Sequence, residues 1–316
     1  MVAFIAAAAA IAVLARLIAT ATEALGNQIG SSAAGVVQSA LGNLPELFIA
    51  LFALHDGLTG VVQAALVGSI LANSVLVLGI AFTAGGLRNG TQRFDSPRAR
   101  MIATMTGLSA AILSLPTLAH AFHTPAGPHG HALSLVCAGV LVVLFFTTLP
   151  VFLSGSEGRH ERDRSSLPVT AAVLALAGVA AAFVSDWFVG ALTPATHAMH
   201  MSQMFAGLVI VAIAGNAVEN VVGVQLALRN ELDFAISVIV NSALQVALLL
   251  TPILIFASFA FATHLTLVFP TLLAIALVLG AVIAALVVYD GESTWNEGTV
   301  LVGLYIVIAA SFWWGA

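Results

Sequence analysis

The chain has 316 residues, 60% hydrophobic and 7% charged, with a mean hydropathy of +1.09. A soluble domain carries about 25% charged residues, so this chain cannot cover itself with a solvated surface, and a soluble or nucleic-acid-binding protein is excluded. The single cysteine, Cys137, excludes an internal disulfide and a cysteine-rich metal site, while the net charge of −5 says less than where the charges sit.

Apolar runs long enough to cross a bilayer account for nearly all of the sequence. They predict an all-α polytopic membrane protein of about ten transmembrane helices, at 2–26, 34–54, 60–84, 99–119, 131–153, 167–189, 203–228, 233–261, 266–289 and 297–315. The first run starts at Val2 with no basic stretch ahead of it, so it reads as a span and not as a cleaved leader. Breaks fall at Gly26-Asn27, His55-Asp56-Gly57, Gly85-Gly86, the Pro/His/Gly tract 123–130, the charged run 155–166 and Thr193-Pro194.

Arginine placement orients these spans. The chain has nine arginines and no lysine. Arg88, Arg93, Arg98 and Arg100 follow helix three; Arg159, Arg162 and Arg164 follow helix five; Arg229 follows helix seven. A ten-helix count puts loops 86–98, 155–166 and 229–232 on one side, and the opposite loops carry no arginine. Positive charge is retained on the cytoplasmic side, so these loops are expected there, in a multi-pass cytoplasmic-membrane protein with both termini outside. Arg16 lies within helix one, and Glu23, two turns on, is its candidate partner and a secondary candidate for the site.

Within the apolar spans stands Gly42-Asn43-Leu44-Pro45-Glu46, echoed at Gly215-Asn216-Ala217-Val218-Glu219. A gapless shift of 215 − 42 = 173 superimposes Gly, Asn and Glu, and carries Ser69 onto Ser242. Glu46 is on helix two and Glu219 on helix seven. Five helices apart, the two motifs run in opposite directions through the bilayer. This predicts a 5+5 inverted-topology repeat: residues 1–154 with motif 42–73, a cytoplasmic linker 155–166, and residues 167–316 with motif 215–245. Secondary transporters of this architecture place their site at the midplane between the repeats.

Glu46 lies about 18 Å into its helix, near the middle of a core of about 30 Å. An ionised carboxylate there costs about 3 kcal/mol even on the lenient insertion scale, and two facing each other cost more unless they share protons or a cation. Such a pair holds protons or one divalent cation, and that competition is proton/cation exchange in outline. A hard cation takes oxygen ligands from carboxylates, amides and carbonyls, which points to Glu46, Glu219, Asn43 and Asn216 as metal ligands. Pro45 and Gly42 weaken helix two and are expected to free carbonyls at 41–43; the second repeat lacks the proline, so its helix is expected to be less broken. Ser69 and Asn73, four apart on helix three, and Ser242 and Gln245, three apart on helix eight, present polar faces that complete the candidate cation/proton site. Gln38, Asn241 and Asp233 are secondary candidates, Asp233 within the turn 229–233 that is placed to steer cations. Polar residues in membrane helices also serve simply as interhelical hydrogen bonds, at about 0.6 kcal/mol each. Eight of nine histidines map to the outer side (55, 120, 123, 129, 131, 197, 200 and 264), with only His160 inside; they read as solvated loop residues.

The paired Gly-Asn-x-x-Glu motifs resemble the signature repeats of the calcium/cation antiporter superfamily, cation/proton exchanger branch. So do Gly68-Ser69-Ile70-Leu71-Ala72-Asn73, the stretch 229–245 and Leu87-Arg88-Asn89-Gly90-Thr91-Gln92-Arg93-Phe94; together they cover about residues 20–250. The resemblance implies that Glu46 and Glu219 alternately bind Ca²⁺ and protons as the repeats rock, with Asn43, Asn216, Ser69, Asn73, Ser242 and Gln245 adding oxygens. Departures fall mainly in the second repeat: Asn220 stands where the family often has His, and Asn241-Ser242-Ala243-Leu244-Gln245 replaces Gly-Ser-Ser-x-Gln. The family's acidic segment between halves is here a mixed run, and its common eleventh, leading helix is not expected.

The function expected is therefore exchange of Ca²⁺ or a related cation for protons by a non-enzymatic transporter in a lipid bilayer, with Ca²⁺ as substrate and no cofactor. A Na⁺-coupled or Mn²⁺-preferring exchanger is the nearest alternative. An intramembrane enzyme lacks an H-E-x-x-H or G-x-S-x-G motif, and a channel leaves the duplication unexplained. Oligomeric state is not encoded in these features.

Overall fold

A computed structural model describes residues 2–29, 41–154 and 167–314. Its helices are α1 (Val2–Ile29), α2 (Leu44–His55), α3 (Thr59–Asn89), α4 (Ser96–Ala121), α5 (Gly130–Ser154), α6 (Leu167–Ala198), α7 (Gln203–Gly215), α8 (Ala217–Leu228), α9 (Leu232–Ala260), α10 (Thr271–Val287) and α11 (Trp295–Ser311). Six of these are long and apolar enough to cross a membrane, α7 and α8 together make a seventh bent span, and α2, α10 and α11 are shorter apolar helices. The linker 155–166 and Gln38 lie outside the described residues, as does the Glu23 side chain.

The duplication read from three motif positions extends to whole elements. The half-helices α2 and α8 begin 217 − 44 = 173 residues apart, and α3 and α9 begin 232 − 59 = 173 apart. Both long helices also carry a π-helical turn at their polar face, at Ala72–Val77, which includes Asn73, and at Val246–Leu250, just after Gln245. The fold is an inverted repeat of five spans and five.

Most buried side chains belong to one core contributed by both repeats, with Phe82, Phe188, Leu71, Leu113 and Leu141 among its largest sealed members. At its centre α3 crosses α7 through glycine. A Cβ on Gly68 would collide with the Leu208 backbone, and one on Gly207 would come within 2.9 Å of Ala64 Cβ. Bare backbone at both positions is what lets the helices touch. The Tyr305 hydroxyl of α11 donates to Leu208 O, inside the π-helical segment Ala206–Val211 of α7, at 3.3 Å.

Helices α1 and α6 pair antiparallel. The Phe4 and Phe188 rings stack at 4.9 Å, while Ile18 packs with Ala177 and Ala181. Their outer faces expose Val13, Leu17, Leu176, Val179 and Phe183, apolar surface of the kind a bilayer covers.

Three features differ from the sequence expectation. The span expected at 203–228 is two helices bent by 66° without a proline at the break, while residues 30–40, ahead of the break in its counterpart, lie outside the described residues. The break falls at Gly215-Asn216, where the Asn216 side-chain Nδ2 shares the Ala212 carbonyl with its own backbone N–H, at 3.0 and 3.3 Å. Second, the span expected from 266 begins only at Thr271, behind Pro270, because 261–270 is a non-helical segment sewn to its neighbours. Phe269 N–H donates to Thr117 Oγ1 at 2.8 Å, Leu267 N–H to Ser134 Oγ at 2.9 Å, and Gln63 Nε2 to Thr266 O at 2.8 Å. Third, the all-α chain includes one short antiparallel pair, β1 (Gln92–Arg93) with β2 (Glu292–Ser293), closed by an Arg93–Glu292 ion pair at 3.1 Å.

Candidate cation site

The two Gly-Asn-x-x-Glu motifs meet at the centre of the molecule. In each, the asparagine sits at the break with nearly the same backbone: φ −95°, ψ 17° at Asn43 and φ −107°, ψ 23° at Asn216. Each glutamate falls in the first turn of the 12-residue half-helix that follows. The N-terminal end of a helix carries partial positive charge, so both acids sit where the backbone favours an anion. The repeats touch through these motifs: a Cβ on Gly215 would lie 3.2 Å from Glu46 Cβ.

A connected network of buried polar side chains joins the repeats. Ser69 donates its hydroxyl to Glu46 Oε1 and accepts from Asn216 Nδ2 at 3.1 Å. Asn216 Oδ1 accepts from Asn73 Nδ2 at 3.2 Å and from the Ser242 hydroxyl at 3.1 Å, and Asn73 Nδ2 lies 3.1 Å from Ser242 Oγ. Asn43 Nδ2 donates to Gln245 Oε1 at 3.2 Å. All of these except Gln245 are buried. The network leaves oxygens over: Glu46 Oε2 and Asn73 Oδ1 are buried and have no hydrogen-bond partner among the described residues. Buried oxygens left without a donor are costly, and a proton, a cation or a water satisfies them.

The repeats differ in access. Glu46 is 2% exposed, whereas Glu219 is only half-buried. Three residues beyond each acid, Ile49 on α2 is 1% exposed and Val222 on α8 is 37% exposed. The acid on α2 is enclosed by protein, whereas the acid on α8 and the residue one turn beyond it are partly uncovered.

Of the predicted residues, Glu46, Ser69, Asn73, Asn216 and Ser242 are joined in one network, Asn43 and Gln245 form a separate pair, and Glu219 lies in the matching turn of α8. Asn241 is outside the network. Its Nδ2 bonds Ser237 Oγ at 3.2 Å, and it lines a separate, largely apolar cavity of about 310 Å³ with Met105, Leu144 and Thr148. Asp233 is exposed, its Oδ1 accepting the Asp95 backbone N–H at 2.5 Å, so it is engaged in holding the turn before α4. Arg16 is exposed on α1. All eight histidines of the arginine-free side are exposed, as solvated loop residues are. Sequence reasoning missed the glycine contacts at 68, 207 and 215; Gly68 and Gly215 stood inside the quoted motifs as a visible signal.

An inverted repeat of membrane helices, broken at its centre around two acids and a buried amide–hydroxyl network, defines a secondary cation transporter. The chain matches the sodium/calcium exchanger protein family over residues 1–155 and 169–314, and it belongs to that family. It is 31% identical to a Ca²⁺/H⁺ antiporter of Synechocystis sp., with 98% of this chain and 90% of the relative covered. It is 32% identical to the Ca²⁺/H⁺ antiporter ChaA of Bacillus subtilis, over 95% of this chain and 88% of the relative. The structure of native YfkE superposes with a TM-score of 0.83 at 31% identity, covering 98% of this chain and 91% of that one. The H⁺/Ca²⁺ exchanger CAX shares the fold, with a TM-score of 0.77 at 15% identity over 98% and 85%.

Proposed function

We propose that this protein exchanges Ca²⁺ for protons across the cytoplasmic membrane, using Glu46 and Glu219 as a shared seat for the cation or for protons. The observation that carries this reading is the pair of buried oxygens, Glu46 Oε2 and Asn73 Oδ1, without a hydrogen-bond partner among the described residues, where the Ser69, Ser242, Asn73 and Asn216 donors are bonded elsewhere. Ca²⁺ takes six to eight oxygens, and carboxylates, amide oxygens and hydroxyls are what Glu46, Glu219, Asn43, Asn73, Asn216, Ser69, Ser242 and Gln245 offer. With the cation gone, protons satisfy the same carboxylates.

The exposed face of α8 is the candidate cytoplasmic path, because the helix ends at the arginine-bearing loop 229–232, which is expected on that side. Closing that path and opening the one along α2 carries the occupied site outward. The family relationship and the relatives' names, Ca²⁺/H⁺ antiporters at about a third identity over nearly the full length, support Ca²⁺ ahead of Na⁺ or Mn²⁺.

Reconstituted liposomes with an imposed pH gradient test this. Added Ca²⁺ is expected to collapse the gradient. Collapse by Na⁺ or Mn²⁺ alone would replace the substrate, and a gradient indifferent to every cation would remove antiport altogether.

A further inference from the structure

The bonds between α3 and the end of α8 do something the cation site itself does not account for. After α3 the chain turns at Gly90, whose φ of +77° suits glycine, and enters β1. Pairing with Ser293 holds the Gln92 backbone there. The Gln92 side chain is 2% exposed and passes over Gly85, where a Cβ would collide with its Oε1. Its Nε2 donates to Ala227 O at 2.9 Å and to Asn230 Oδ1 at 2.8 Å. Asn89, on the last turn of α3, donates to the same Ala227 carbonyl at 3.2 Å. The Ala227 carbonyl, in the last turn of α8, also accepts the Asn230 backbone N–H at 3.0 Å, so these amides add a side-chain grip to the turn that ends the helix.

We propose that Gln92 is a positioning residue for Glu219, an assignment that rests on Glu219 being a cation ligand. Ser69 and Asn73 sit on α3, and Glu219 sits on α8, 227 − 219 = 8 residues above the gripped carbonyl, about 12 Å along the helix axis. A clamp between the ends of α3 and α8 sets the depth of the Glu219 carboxylate against the α3 ligands. It also makes the two helices move as one piece when the path along α8 closes.

The test compares two glutamines with similar bonding at opposite ends of α3, Gln92 in β1 just past its C-terminus and Gln63 in its first turns. Gln63 donates to Thr266 O at 2.8 Å and Val268 O at 3.1 Å, remote from α8. In liposomes, Gln92→Ala is expected to raise KM for Ca²⁺ about fivefold, the scale of one hydrogen bond, with maximal rate held within about twofold. Gln63→Ala is expected to lower the melting temperature and leave KM unchanged. If Gln92→Ala does not assemble, Gln92→Glu keeps the shape, loses the donor and is expected to raise KM likewise. A wild-type KM in a folded Gln92 variant, or an equal rise in Gln63→Ala, overturns the proposal. Glu219→Gln run alongside separates the two failures. Its full exchange would sink the ligand reading, whereas its loss with an unmoved Gln92 variant would sink only the clamp.

Discussion

Asn216 of the second repeat donates its Nδ2 hydrogen to Ser69 Oγ of the first at 3.1 Å, and Ser69 donates onward to the Glu46 carboxylate. An acid of one repeat is thus held through a side chain positioned by the other. The two motifs are therefore bonded to each other through Ser69. Removing Asn216 takes away the donor to Ser69 and the acceptor of both Asn73 and Ser242. Asn216→Ala is expected to raise KM for Ca²⁺ at least about tenfold, as loss of several bonds in one buried network implies. Ser69→Ala, which leaves the Asn73–Ser242 contact intact, is expected to do less. Initial rates of Ca²⁺ uptake into liposomes measure both.

The glycines that let the repeats touch make a second prediction, on stability. Gly68→Ala drives a methyl into the Leu208 backbone, which cannot rotate away. A loss of about 1–3 kcal/mol or more is expected, the range of overpacked cores, seen as a lower melting temperature in detergent. Gly215→Ala meets the Glu46 side chain at 3.2 Å, a milder approach. There the melting temperature is expected to fall less while transport falls further, because the displaced group is the proposed ligand.

Competition for one seat fixes the sign of the pH dependence. A protonated carboxylate offers no charge to Ca²⁺, so acidifying the Ca²⁺-loading side is expected to raise KM and leave the maximal rate at saturating Ca²⁺ unchanged. Uptake curves at a series of pH values distinguish this from a pH effect on folding, which would lower the maximal rate at every Ca²⁺ concentration.

The unequal exposure of the half-helices predicts unequal chemistry. Val222→Cys on α8 is expected to react quickly with a charged, membrane-impermeant thiol reagent, and Ile49→Cys on α2 slowly, matching exposures of 37% and 1%. Buried Cys137 contributes little background. Equal rates at the two positions would mean that α8 does not line an open path.

Much of the site was legible because its chemistry is costly in a membrane. A carboxylate in an apolar span draws attention at once, and a gapless repeat of Gly, Asn and Glu ties one carboxylate to another. Asn73 and Gln245 were found by helical spacing from the duplicated serines. The break at Asn216 was not legible. Its signal, an asparagine bonding the carbonyl of Ala212, depends on side-chain geometry that composition does not encode. The apolar residues 266–270 suit the start of a span, but their hydrogen bonds go instead to Thr117, Ser134 and Gln63. Gln92 looked like a loop residue, since burial against α8 depends on a contact between residues 135 positions apart.

The account's central claim is that Glu46 and Glu219 bind Ca²⁺ and protons in competition. Its most direct test is proton release on adding Ca²⁺ to weakly buffered protein in detergent. Wild type is expected to acidify the solution as Ca²⁺ binds, and Glu46→Gln or Glu219→Gln is expected to abolish the release. Undiminished release from both folded variants would place the exchanged protons on other groups and contradict the account.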